Sequence, residues 1–191
     1  ATNNTFVMDT ASPTVTLVVV GFTAEYGSGS SIIEWSGSDT NLDTKFVNVT
    51  YPNGTLLTES TDGTVNLTLT PTNLTELGIY TITAFANDSA TNIKTASATL
   101  TIQDTTAPAP ILTISPPSDN STNVNNVTFI CNATDAHGVT NITLYHNISQ
   151  AYGENQSLTT SGITVQAQFN VTDIADGNYT WNCRASDYSN N

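Results

Sequence analysis

Apolar and polar positions alternate most strictly in two stretches of the chain. Residues 78 to 88, GIYTITAFAND, set Tyr80, Ile82, Ala84 and Ala86 two apart, with Thr81 and Thr83 between the first three. Residues 177 to 187, GNYTWNCRASD, do the same with Tyr179, Trp181, Cys183 and Ala185, separated by Thr180, Asn182 and Arg184. A period of two predicts a strand with one buried face. The stretches align at an offset of 99 positions, ending on Asp88 and Asp187. A repeat of this length in 191 residues predicts two small domains of about 90 residues each, placed at 11–104 and 105–191.

The first domain offers further short strands at TVTLVVV (14–20), SIIEWSGSD (31–39), KFVNVTY (45–51), TVNLTLT (64–70) and TASATLTIQ (95–103). Turn signals separate them: Gly27 to Gly29, Pro52-Asn53-Gly54 and Asp62-Gly63. The second domain repeats the plan with ILTI (111–114), NVTFICNATD (126–135), VTNITLYH (139–146) and ITVQAQFNV (163–171). Aligning Asp39 with Asp135 sets Trp35 against Cys131. No stretch carries a helical period over ten residues, so an all-β chain is expected.

The two copies continue differently. After Asp88 comes the strand-like run 95–103, whereas after Asp187 only four residues remain. Conversely, residues 1–9, ATNNTFVMD, match ATLTIQD (98–104), with Asp9 against Asp104 and Pro13 against Pro108. Residues 1–10 therefore read as a last strand without a domain before it, and the second domain as one strand short. An open strand edge invites a strand from elsewhere. The expectation is that Asn3, Thr5, Phe6, Val7 and Met8 of one copy complete the second domain of another. Thr5 and Val7, or Phe6 and Met8, would point inward along an acceptor strand of Tyr179, Trp181, Cys183 and Ala185. Such head-to-tail exchange makes a fibre of copies of the chain. The competing expectation is one repeat of a longer tandem chain, with Asn191 joined covalently to something like Ala1.

Charge narrows the partners. Three cations, Lys45, Lys94 and Arg184, face 16 carboxylates, for a net charge of −13. A nucleic-acid backbone requires clustered Lys and Arg, so that partner is excluded. The longest apolar run, TVTLVVVGF, is less than half the length that spans a bilayer. Cys131 and Cys183 fall where a two-sheet domain sets partners facing each other. A disulfide there would close a loop worth roughly 4 kcal/mol in the chain-entropy model; two buried thiols are the alternative.

These strand spacings, with one Cys on an early strand, another on the penultimate strand and an aromatic two residues before it, resemble the immunoglobulin-like sandwich. That resemblance implies a corner Tyr two residues before the second Cys; here Trp181 holds that place and the Tyr is Tyr179. The linkers DTASP and DTTAP, with ATD and ASD after strands, resemble those of tandem immunoglobulin-like modules in prokaryotic, especially archaeal, cell-surface proteins. Together with the displaced strand, the arrangement resembles the donor-strand filaments of bacteria and the glycosylated thread-like pili of archaea. The resemblance implies an extracellular, structural chain.

Fourteen of the 22 asparagines lie in Asn-x-Ser/Thr: Asn3, Asn48, Asn53, Asn66, Asn73, Asn87, Asn120, Asn126, Asn132, Asn141, Asn147, Asn155, Asn170 and Asn178. Chance at this composition gives about six, and each site is an acceptor for N-linked glycan. Asn48 lies between Val47 and Val49 and Asn66 between Val65 and Leu67, while Asn132 follows Cys131 and Asn170 follows Phe169. Each therefore points outward if its neighbours point in.

Catalytic chemistry has little to work with. His137 is expected in a solvated turn and His146 at an edge or surface, and neither has a placed Ser or Cys nucleophile or a metal-ligand spacing. No enzyme is expected. In a sandwich of this type the leading linker and the loops after the second and penultimate strands share one end. That gathers Asp9, Asp39 and Asp88 in one domain and Asp104, Asp135 and Asp187 in the other. Either each Asp caps a turn, or the carboxylates form a structural Ca²⁺ site. The runner-up function is a surface adhesin module binding a ligand through loops, with Phe22, Tyr26, Tyr152 and Tyr188 as candidates.

Overall fold

The computed structural model describes residues 8–61, 66–115, 125–148 and 151–191. All its regular elements are strands, so the chain is all-β. It divides into two compact units, Ala1–Gln103 and Asp104–Asn191, each a two-sheet sandwich of the immunoglobulin-like kind. Among the described residues no helix is long and apolar enough to cross a membrane.

Unit 1 holds β1 (Thr14–Val20), β2 (Thr23–Glu25), β3 (Ser31–Ser38), β4 (Leu42–Thr50), β5 (Leu56–Ser60), β6 (Leu67–Leu69), β7 (Gly78–Asp88) and β8 (Ile93–Gln103). One sheet runs β1-β3-β6 and the other β2-β8-β7-β4-β5. The inward residues of β7, Tyr80, Ile82, Ala84 and Ala86, are fully buried, as the alternation dictates. Ile33 and Trp35 of β3 face them, and Leu100 and Ile102 of β8 complete the core. The expected strand over 64–70 is shorter, beginning at Leu67; residues 62–65 lie outside the described residues.

Unit 2 holds β9 (Ala109–Ser115), β10 (Val127–Thr134), β11 (Val139–His146), β12 (Gly153–Thr159), β13 (Thr164–Val171) and β14 (Trp181–Asp187). Its sheets run β13-β10-β9 and β12-β11-β14, repeating β6-β3-β1 and β5-β4-β7. Even the irregularities recur. The β4–β7 ladder shifts register between Leu42 and Thr44, and the β11–β14 ladder shifts between Val139 and Asn141. These bulges kink the ladder just beside Asp88 and Asp187.

β2 pairs in parallel with β8. β7 is paired on both sides, by β4 and by β8, whereas among the described residues β14 is paired by β11 alone. The consequence is visible in strand length. β7 begins at Gly78, where Gly78 to Tyr80 pair with Ile102 to Leu100. The expected strand at Gly177 begins only at Trp181; residues 177–180 join no ladder among the described residues, and Thr180 bonds Asn147 instead.

The disulfide joins Cys131 of β10 to Cys183 of β14, across the two sheets, with Cα atoms 6.4 Å apart. Trp35 fills the matching place in unit 1, where it is buried. The corner tyrosine lies four residues before Cys183: Tyr179 donates to the Ala175 carbonyl at 2.8 Å. Tyr80 does the same to Glu76 at 3.1 Å and accepts from the Glu76 N–H. Two histidine expectations are corrected. His146 is 1% exposed, because the β11 alternation turns it inward against Phe129. His137 is drawn into contacts with Asp104 and Ser189 and is no solvated turn residue.

Candidate functional site

Three short segments meet at one end of each unit: the linker before the first strand, the loop after β3 or β10, and the turn after β7 or β14. They bring Asp9, Asp39 and Asp88 together in unit 1, and Asp104, Asp135 and Asp187 in unit 2, each set with carboxylate oxygens within 4.8 Å of one another. Both of the expected roles are present in the same residues. Every Asp caps backbone N–H groups, and the capped carboxylates nonetheless converge. Three negative charges at that spacing repel unless a cation or donated N–H groups offset them.

In unit 1, neutral amides do this. Asp9 accepts from Ala11 N and from Asn41 Nδ2 at 3.0 Å, and Asp39 accepts from Asn41 N. Asp88 Oδ1 accepts from Ala90 N and Asn92 N, and its Oδ2 from Asn92 Nδ2 at 2.8 Å. The Asn92 amide reaches the Asp9 carbonyl as well, at 3.1 Å. The Asn92 side chain first, and then the backbone N–H groups of Asn92 and Ala90, hold the Asp88 carboxyl below its ordinary value.

Unit 2 repeats the framework position by position. Asp104 accepts from Thr106 N, and Asp135 Oδ1 accepts from His137 N and Gly138 N at 2.7 and 3.1 Å. Asp187 Oδ1 accepts from Ser189 N and Asn191 N. His137 stands where unit 1 has Asn41, its Nδ1 3.3 Å from Asp104 Oδ2. The turns match down to backbone handedness, with Thr91 at φ 68° and Asn190 at φ 65°. Gly138 has φ +99°, and a side chain there would meet the Tyr188 ring at 3.1 Å. Two contacts differ: Asp104 Oδ2 accepts from Ser189 Oγ at 2.9 Å, where unit 1 has Ala90, and the turn asparagine directs its amide differently. Asn191 Nδ2 reaches the Asp104 carbonyl at 3.0 Å, but Asp187 Oδ2, fully buried, finds no donor among the described residues. Hard carboxylate oxygens gathered in this way fit Ca²⁺, and the buried oxygen without a donor makes unit 2 the better fit.

The other candidate site is the outer edge of β14. Along β7 the same edge is covered by β8; along β14 it carries no ladder among the described residues. Tyr179 and Trp181 are only partly buried there, whereas Tyr80 and Ile82 are fully so. Asn3, Thr5, Phe6 and Val7 lie outside the described residues, and Met8 is 78% exposed.

Of the asparagines in glycan sequons, Asn3 and Asn120 lie outside the described residues. None of the others is buried. Asn48, Asn132 and Asn170 are partly or fully exposed between buried neighbours or beside them, as their phase requires, and Asn66 is exposed beside partly buried Leu67, with Val65 outside the described residues. Asn53, Asn73, Asn87, Asn126 and Asn147 accept backbone N–H bonds through Oδ1; Asn141, Asn155 and Asn178 lie on β11, β12 and the approach to β14. Tyr26 packs on the unit 1 core, Tyr152 stacks on Tyr145, Tyr188 meets His137 edge-on, and Phe22 is 65% exposed.

Residues 110–182 match the bacterial Ig domain family, which is less than half of the chain. No curated protein matches. Among solved structures the chain is similar to carbohydrate-binding modules of the β-sandwich superfamily, at 9% identity and a TM-score of 0.38, over 94% of this chain and 98% of that one. It is similar to a 1.5-MDa bacterial ice-binding adhesin at 12% identity and a TM-score of 0.37, over 94% and 65%. A Ca²⁺-stabilized adhesin of an Antarctic bacterium is similar at 15% identity and a TM-score of 0.32, over 90% and 48%. The chain thus spans less than two thirds of either adhesin chain.

Proposed function

We propose that the chain is a non-enzymatic structural subunit of a glycosylated extracellular filament, in which residues 1–9 of one copy add to β14 of the next. One observation carries this reading. Among the described residues the edge of β14 carries no strand where β8 covers the matching edge of β7, and Leu100 and Ile102 of β8 supply core that unit 2 lacks there. The linkers support it: Asp9 occupies in unit 1 the place Asp104 occupies in unit 2, down to the contact of its carbonyl with the turn asparagine. Since Asp104 directly follows β8, the residues before Asp9 align with β8. That alignment puts Thr5 at the place of Leu100 and Val7 at that of Ile102, so in a donated strand Thr5 and Val7 would point inward. The disulfide and the sequons fit an oxidising, glycosylating, extracellular setting.

A second reading shares the open edge. The chain is one repeat of a long tandem immunoglobulin-like surface protein or adhesin, and the covering strand follows Asn191 covalently; the bacterial Ig domain match over residues 110–182 favours it. Native material denatured with SDS, heat and reductant separates the two. A species near 20.2 kDa plus sugar, with a variant lacking residues 1–9 that stays monomeric, is the result expected for donated strands. A peptide running from Asn191 into Ala1 would end that reading in favour of the covalent repeat.

A further inference from the structure

We infer that Asp104, Asp135 and Asp187 of unit 2 form a single divalent-cation site for a hard, oxygen-preferring ion such as Ca²⁺, and that the matching cluster in unit 1 does not. The two clusters share their framework, so the differences between them identify what each accommodates. In unit 1 the Asn92 amide bonds Asp88 Oδ2 and the Asp9 carbonyl together, and the Asn41 amide reaches Asp9 Oδ2. Donated N–H groups thus sit where positive charge is called for, leaving a cation repelled by the very hydrogens that satisfy the carboxylates.

In unit 2 Asp104 Oδ2 is held by Ser189 Oγ and His137, but the matching Asn191 amide bonds the Asp104 carbonyl and leaves Asp187 Oδ2 without a donor among the described residues. That oxygen is sealed from solvent, on a residue 1% exposed. A buried charged oxygen without a partner is costly, and it belongs to a residue whose carboxylate converges with those of Asp104 and Asp135 within 4.8 Å. The Asp104 side chain is 3% exposed and Asp135 is buried too. Capping occupies Oδ1 of Asp135 and Asp187 with backbone N–H groups, which fixes both carboxylates before any ion arrives. The donor set is all oxygen, which selects Ca²⁺ over softer metals. An ion held here needs no second copy of the chain; it ties the linker at Asp104 to the ends of β10 and β14 inside one unit.

Calorimetric titration of the metal-free protein with Ca²⁺, with Tb³⁺ emission excited through tyrosine as a second readout, tests this. One site per chain is expected, with a dissociation constant between about 10⁻⁵ and 10⁻³ M. Asp187→Asn should weaken it by about tenfold or more, while Asp39→Asn in unit 1 should leave it within about twofold. Tyr188 sits beside His137, so Tyr188→Phe should dim Tb³⁺ emission and leave the stoichiometry at one; this places the ion even if Asp187→Asn fails to fold. Two sites per chain, no binding up to about 10 mM Ca²⁺, or a site lost in Asp39→Asn and kept in Asp187→Asn would each overturn the inference.

Discussion

Tyr80 and Tyr179 hold the same corner by the same bond, yet their surroundings differ. Tyr80 is fully buried and its hydroxyl both donates to and accepts from Glu76; Tyr179 is half-exposed and makes one bond. Removing a buried hydroxyl strands its partners, so Tyr80→Phe should cost about 1–3 kcal/mol and Tyr179→Phe about 0.5–1 kcal/mol in urea unfolding. Equal costs would mean that the corner, rather than burial, sets the energy. Burial also pushes the Tyr80 phenol up. Asp88 is the acid-side counterpart: held low by Asn92, it contributes stability above the ordinary carboxylate value near 4 and loses it as pH falls through the lower folded value. Asn92→Ala should therefore lower the stability of unit 1 at pH 7 and shrink its acid-side loss. An unchanged difference between pH 7 and pH 3 would show that Asn92 does not set it.

Among the elements, β10 and β14 differ most from their counterparts in how they are joined. The Cys131–Cys183 bond spans the two sheets of unit 2, where unit 1 relies on packing around Trp35. Reduction should thus lower the unfolding transition of unit 2 by about 2–5 kcal/mol and leave that of unit 1 in place; a shift of both transitions would contradict a unit-specific role. The inward faces of β3, β7, β10 and β14 were readable from alternation alone, because a strand buried on one face writes its period into the sequence. β5 and β12 were missed as edge strands, LLTES and GENQSLT, which hold no fully buried residue and so need not alternate. β2, only three residues long, carries too little sequence to show a period. The six aspartates were legible from repeat and loop placement, since both sets fall at one end of an immunoglobulin-like unit. The difference between the two sets was not. It lies partly in residue identity, His137 for Asn41 and Ser189 for Ala90, and partly in where one amide, Asn92 or Asn191, directs its hydrogens, although both of those residues are asparagine.

For the whole molecule, the sparse charge and dense sequons bear on the same question of solubility. With three cations against 16 carboxylates and a pI near 4.1, net charge keeps copies apart at neutral pH and vanishes as the medium becomes acid. Exposed apolar side chains then lose that protection, among them Val18, Val20 and Phe22 in unit 1 and Ile111 and Ile163 in unit 2. A coat of neutral sugar on the outward asparagines would replace it, because its steric and hydration effects do not titrate. Protein made without glycans should fold with the same strands, stay soluble at pH 7 and aggregate near pH 4, while the glycosylated form stays dispersed at both, as light scattering would report. Strand donation adds a finer expectation. Asn3 aligns with Ala98, which is half-buried against the unit 1 core, so in assembled material Asn3 should be bare while Asn48 and Asn132 carry sugar. A glycopeptide bearing sugar at Asn3, recovered from intact filaments, would rule out that register of the donated strand.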